Sequence, residues 1–289
     1  METARLILDP AADGAWNMSV DQALLETANS TGLISLRFYA WSEPTLSLGY
    51  FQSHIDRKLH RPSLGCPLVR RRTGGGAILH DNELTYSLCV PSEHRWSQKN
   101  SELYNLVHCC IIELLEELGI KAQLFSDSIS SKSAGSSHNA SELTDQPEQR
   151  FEKEKSVDRE TQPKIPADTI STPTVDQNSF MCFNRRSDGD IVIKGHKVVG
   201  SAQRRIKKSL LQHGSILQKS SESAPNLKGI ADLSNFALPP EELSKRIAAR
   251  VFKCLRVQPF EGTLEASEVE AAKRAHSLQF NSEQWNLQR

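Results

Sequence analysis

The chain has 289 residues, room for one large domain or two small ones, and its 35 Lys and Arg are matched by 35 Asp and Glu. Zero formal charge argues against a general nucleic-acid binder or a basic membrane-surface protein, and no apolar run approaches the ~18–20 residues of a membrane span. Hydrophobic residues make up only 38%, so part of the chain is expected to lie outside any core. No basic segment followed by an apolar block opens the sequence, which argues against a secretory signal. Six cysteines without framework spacing predict reduced thiols and a cytoplasmic setting.

Residues 17–29, NMSVDQALLETAN, predict a short helix with Asn17 as its cap. LISLRFYAW (33–41) and TLSLGYFQ (45–52) predict strands divided by the turn signal SEP. Strands are also expected on both sides of the run RRRTGGG (70–76). In SELYNLVHCCIIELLEELGI (101–120), Leu103, Leu106, Val107, Cys110, Ile111, Leu114, Leu115 and Leu118 recur at three- and four-residue steps. They predict the clearest helix of the chain, stopped by Gly119. The pair Cys109-Cys110 reads as helix core, since no second Cys/His pair stands at metal-ligand spacing.

From about 126 to 178, Ser, Thr, Gln, Pro and charged residues dominate, and apolar residues are too sparse to offset the entropy of ordering. A disordered insertion is expected there. Beyond it, GDIVIKGHKVVGSAQ (189–203) predicts two strands around a Lys-Gly turn, and LLQHGSIL (210–217) another strand. PEELSKRIAARVFKCL (240–255) is amphipathic through Leu243, Ile247, Val251 and Leu255, and a last helical stretch runs from about 267 to 285. Helices and strands mix without regular alternation. The pattern predicts a single α+β domain over 1–289, with a mixed, mainly antiparallel sheet flanked by helices and C-terminal helices at about 240–289.

Two constellations carry chemistry. RRRTGGGA reads either as a hairpin with a solvated basic edge or as an anion cradle, in which glycine N–H groups approach the ligand and arginine forks add charge. It lacks the Gly-Lys-Ser/Thr of a phosphate-binding loop, and its contiguous glycines do not fit a dinucleotide fingerprint. His80 follows on the next strand. The second constellation runs from Cys182 to Leu217. If 197–203 form a regular strand, Lys197, Val199, Ser201 and Gln203 share one face. Cys182 stands near basic residues that favour a thiolate, although FMCF also reads as plain core.

RRRTGGGAILHD, followed by KVVGSAQRR and LQHGSIL, resembles the superfamily of biotin/lipoate ligases and lipoyl/octanoyl transferases. NMSVDQALL, RFYAWSEPTLSLGYFQ and SEQWNLQR extend the likeness over nearly everything outside the insertion. Cys182-Phe183, ahead of Gly195 to Gln203, is most similar to the cysteine-dependent octanoyltransferases. That resemblance implies a biotin/lipoate ligase-like fold, Cys182 as acyl-thioester nucleophile and Lys197 as the cation beside it. It implies a substrate site running from Arg71 and Arg72 through Thr73 to Gly74, Gly75 and Gly76. His80 joins that site, with Gly200, Ser201, Ala202 and His213 on the later strands. Ile78, Val199 and Leu211 are candidates for an acyl slot.

The implied donor is octanoyl-acyl carrier protein, and the acceptor a lipoyl domain such as the glycine cleavage H protein or a 2-oxoacid dehydrogenase E2 subunit. Neither cofactor nor metal is implied, and neither nucleic acid nor membrane is a partner. The spelling RRRTGGGA also resembles lipoate–protein ligase A, for which ATP and Mg would serve, Lys197 would stabilise an acyl-adenylate and Cys182 would be incidental. A non-catalytic module that binds lipoyl domains is a third reading.

Overall fold

The computed structural model describes residues 2–126, 180–234, 236 and 238–289, so the expected insertion lies outside the described residues apart from Ser126. An eight-stranded sheet has the order β11-β1-β2-β6-β10-β9-β8-β7. Its strands are β1 (Thr3–Leu8), β2 (Ile34–Tyr39), β6 (Glu83–Val90), β7 (Gln123–Leu124), β8 (Ile191–Ile193), β9 (His196–Ile206), β10 (Ser209–Leu217) and β11 (Gln258–Glu261). β1 runs parallel to β2 and to β11, and every other pair is antiparallel. A small sheet of β3 (Thr45–Leu48), β4 (Leu68–Arg70) and β5 (Ile78–His80) has the order β4-β3-β5. The mixed, mainly antiparallel sheet is the one the sequence predicts.

Side-chain alternation assigns the two faces of the large sheet. Leu84, Tyr86, Leu88 and Val90 of β6 enter a core beneath α2 (Asn100–Glu117), whereas Cys89 packs on the opposite face against α1 (Gly14–Thr31). The first core also holds Leu243, Ile247, Val251 and Leu255. They belong to a later helix, which follows the short α3 (Ile230–Ser234) and is labelled α4 (Pro240–Leu255). Removing each such leucine from water contributes roughly 1.5–3 kcal/mol. With helices on both faces, β2, β6 and β10 are buried along their whole length.

Several local expectations change. The first helix begins at Gly14, because the Asp13 carboxylate accepts the Trp16 N–H at 2.8 Å. Asn17 is therefore inside the helix, and its amide donates to the carbonyls of Ala12 and Ala40. Cys109 faces solvent while Cys110 is buried, so only one of the pair is core. The last helical stretch is broken: α5 (Ala266–Ala275) runs into a π turn at His276–Phe280, and α6 (Glu283–Asn286) restarts behind a Ser282 cap. Among the described residues, no helix is long and apolar enough to cross a membrane.

Candidate active site

The three arginines of the glycine loop have three different fates. Arg70 is fully buried, and its guanidinium donates to the carbonyls of Gly49, Gln52, Trp285 and Asn286, tying the C-terminal segment to the small sheet. Arg71 is also buried. It donates to the carbonyl and hydroxyl of Ser47 and to the carbonyls of Gly74 and Gly76, which fixes the path of the loop. Burial pushes the Arg71 guanidinium down to about 10, still charged at neutral pH. Arg72 turns away, over the Trp285 ring and into a separate open cleft with Gln22 and Glu26. The expected arginine forks around an anion are thus replaced by a scaffold, because the buried carbonyls of the loop need donors.

Within the scaffold Gly75 has φ +95°, a conformation that side chains disfavour, and its carbonyl lies against Gly49. The loop then meets the second constellation directly. Ala77 N–H donates to the Phe180 carbonyl at 2.9 Å, and Cys182 N–H donates to the Ala77 carbonyl at 2.7 Å. This short parallel bridge joins segments more than a hundred residues apart and sets Cys182 against Gly76.

Lys197 reaches the sulfur from β9. Its Nζ lies 3.5 Å from Cys182 Sγ, 2.8 Å from an Asp190 carboxylate oxygen and 5.2 Å from the centre of the Phe183 ring. Lys197 and Asp190 are only 4% and 3% exposed, so the pair is held away from water. Asp190 is fixed in turn by the Ser187 N–H and the Tyr104 hydroxyl. The register between β8 and β9 slips here, Ile191 facing Val199 while Val192 faces Lys197. That bulge breaks the regular face expected for 197–203. Val199 sits in the core beneath α2, and Ser201 bonds towards α2, whereas Lys197 lies across Gly200. A Cβ at position 200 would fall 2.5 Å from Lys197 Cε, so only glycine leaves the lysine its place.

Three buried histidines each bridge a hydroxyl and an acceptor. His80 Nδ1–H donates to Glu83 at 2.6 Å, its Nε2 accepts from Ser47 at 2.6 Å, and its ring stacks on Trp41 at 3.7 Å. His213 Nδ1–H donates to Asp21 at 3.1 Å and its Nε2 accepts from Thr73 at 2.8 Å, linking the glycine loop to β10 and α1. His108 Nδ1–H donates to the Gly189 carbonyl and its Nε2 accepts from Ser201, which accepts in turn from Tyr86. These tautomers follow from the partners. Burial lowers the pKa of His80, and that of His108 to about 4, so both rings are neutral near pH 7. Burial pushes the Asp21 carboxyl up, but the His213 bond and the Arg37 charge outweigh it and leave Asp21 below the usual carboxylate range.

Between the two sheets lies a narrow cavity of about 40 Å³, smaller than a filled small-ligand site, so an acyl chain would have to widen it on entry. Cys182, Gly74, Gly75, Gly200 and Ala202 form one side; Met18, Tyr39, Trp41 and Ile78 supply apolar wall. Arg71, His80, Ser201 and His213 also border it, whereas Arg72, Thr73 and Gly76 do not. Of the expected slot residues only Ile78 is present; Val199 and Leu211 are in the two helix-covered cores. Met18, Tyr39 and Trp41 escaped the sequence reading as site residues, although the matched stretches NMSVDQALL and RFYAW contain them. Two more open clefts, of about 520 and 680 Å³, are larger, but neither is bordered by Cys182 or Lys197. Among the described residues, no group of three or more His, Cys, Asp or Glu could hold a metal ion.

The sequence matches the family described as lipoyl protein ligase A/B catalytic domain over residues 13–237. It is 30% identical to the octanoyltransferase LipM of Halalkalibacterium halodurans, with all of both chains covered. It is 32% identical to the octanoyltransferase LipM of Geobacillus kaustophilus, over 90% of this chain and 79% of that one. The fold is similar to that of a bi-partite lipoate protein ligase from Thermoplasma acidophilum, with TM-score 0.66, 17% identity and coverage of 99% and 97%.

Proposed function

The chain belongs to the lipoyl protein ligase A/B catalytic domain family, and we propose that it is an octanoyltransferase of protein lipoylation that works through a thioester at Cys182. The observation that carries this reading is the Cys182 sulfur at the wall of an apolar cavity, 3.5 Å from a buried lysine ammonium. An ammonium that donates a hydrogen bond to sulfur does so more strongly to S⁻ than to S–H, and the thiolate is the nucleophile. Asp190 keeps Lys197 aimed, and its own negative charge offsets part of the ammonium's field.

In the first step Cys182 sulfur attacks the thioester carbonyl of octanoyl-acyl carrier protein, and the C–S bond to the carrier breaks, releasing its thiol. In the second, the ε-amine of a lysine on a lipoyl domain attacks the Cys182 thioester, and the sulfur leaves as the amide forms. Two easier exchanges replace one three-body encounter. The amides of Gly74 and Gly75, which border the cavity, would polarise the acyl carbonyl. That of Ser201 would not, since its N–H already donates to the Tyr104 hydroxyl at 3.3 Å. The acyl tail would lie along Met18, Tyr39, Trp41 and Ile78.

The ATP-dependent alternative assigns the loop arginines to phosphate, and two of the three are committed to backbone carbonyls. The acceptor is expected to be a lipoyl domain such as the H protein or an E2 subunit. Purified protein is given an unmodified lipoyl domain with either octanoyl-carrier protein alone or free octanoate plus ATP and Mg. Octanoylation in the first mixture supports the reading. Modification confined to the second would replace it with the ligase.

A further inference from the structure

All six cysteines are free thiols in the described structure. Cys110 of α2 and Cys254 of α4 stand with their sulfurs 3.7 Å apart, although 144 residues separate them. Both helices cover the same face of the large sheet, and the buried stripe of α4 is Leu243, Ile247, Ala248, Val251, Phe252 and Leu255. Cys254 is off that stripe and exposed, so core packing does not account for a thiol there. Cys110 beneath it is buried. A buried free cysteine is ordinarily a small hydrophobe. A buried thiol in contact with an exposed one is a different arrangement, because an oxidant reaches the outer sulfur and only that sulfur reaches the inner one.

We propose that Cys110 and Cys254 are a redox-sensitive pair that closes to a disulfide when the protein meets a hydroperoxide. Burial, followed by the nearby Cys254 and Glu113, holds the Cys110 thiol in its protonated form, so Cys254 reacts first. Its sulfur attacks the O–O bond and becomes a sulfenic acid, releasing one water when the oxidant is hydrogen peroxide. Cys110 sulfur then displaces the sulfenic hydroxyl as a second water, its proton leaving with it. Two electrons have passed from the two sulfurs to the peroxide bond. Closure to a bond of about 2.05 Å asks the sulfurs to approach by roughly 1.7 Å, within reach of side-chain rotation and a small helix shift. The clip would join α4 to the helix that carries Tyr104 and His108.

The test uses the full chain with Cys182→Ala, so that the active-site thiol consumes no oxidant, alongside the unsubstituted chain. Each is treated with one equivalent of hydrogen peroxide at neutral pH, alkylated and digested with trypsin without reduction. The peptide 100–121 should emerge joined to peptide 254–256 through Cys110, with intact mass lower by about 2 Da and both changes reversed by a dithiol. Cys254→Ser should abolish the link. Sulfinic acid at Cys254 with Cys110 still open to alkylation would overturn the proposal, as would a link through the neighbouring Cys109.

Discussion

Gly200 decides where Lys197 can lie, since an added Cβ would stand 2.5 Å from the lysine Cε and 2.8 Å from its Nζ. Gly200→Ala should therefore push the ammonium off the sulfur and slow octanoyl transfer about 100-fold, in protein that still folds but is less stable because the Lys197–Asp190 pair is disturbed. Gly65, which has open space around it, is the control, and Gly65→Ala should transfer normally. Equal rates for the two variants would contradict the placement of Lys197. The same lysine makes a stability prediction. Asp190→Asn leaves a buried cation without its counter-charge, a change that costs about 3–5 kcal/mol when a buried pair loses one partner. Urea unfolding measures it, and a loss below about 1 kcal/mol would mean that the pair is solvated.

α2 carries a titration signature. His108, buried between Gly189 and Ser201, binds its proton only near pH 4, against 6.5 for the free side chain. Between those values the unfolded chain holds more protons, so stability rises with pH through the window. It is complete above pH 6.5 and falls by roughly 3 kcal/mol as the pH drops to 4, at 1.36 kcal/mol per unit. His108→Gln should flatten that part of the stability-against-pH curve. Curves of equal slope would show that His108 is not the group responsible. The long periodic helices and the strands around RRRTGGG were legible in the sequence because each has a buried stripe or face of its own. β1 was passed over, and β11, exposed at all four residues, has no apolar pattern to find. The bulge in β9 was hidden for another reason: register belongs to a pair of strands, and alternation along one strand cannot contain it. The fate of the arginines was equally hidden, since a guanidinium reads the same whether it meets a ligand or a carbonyl.

At the scale of the whole molecule, the two motif halves are one site because the Ala77 and Phe180–Cys182 backbones pair. Between Ala77 and Phe180, the residues Ile78, His80 and Thr85 border the cavity, and all three precede the segment 130–174. Replacing 130–174 with a short Gly/Ser linker should leave transfer within about twofold, by the weak length dependence of loop closure. Loss of folded protein, or of most activity, would show that this segment does more than connect. The central claim is that Cys182 carries the acyl group, and intact mass spectrometry tests it most directly. The chain is mixed with octanoyl-carrier protein, without ATP and without acceptor. The account predicts a gain of one octanoyl mass, located on Cys182 by peptide mapping, removed by neutral hydroxylamine and absent from Cys182→Ala. A Cys182→Ala protein that still modifies a lipoyl domain at full rate, and only with ATP, would contradict it.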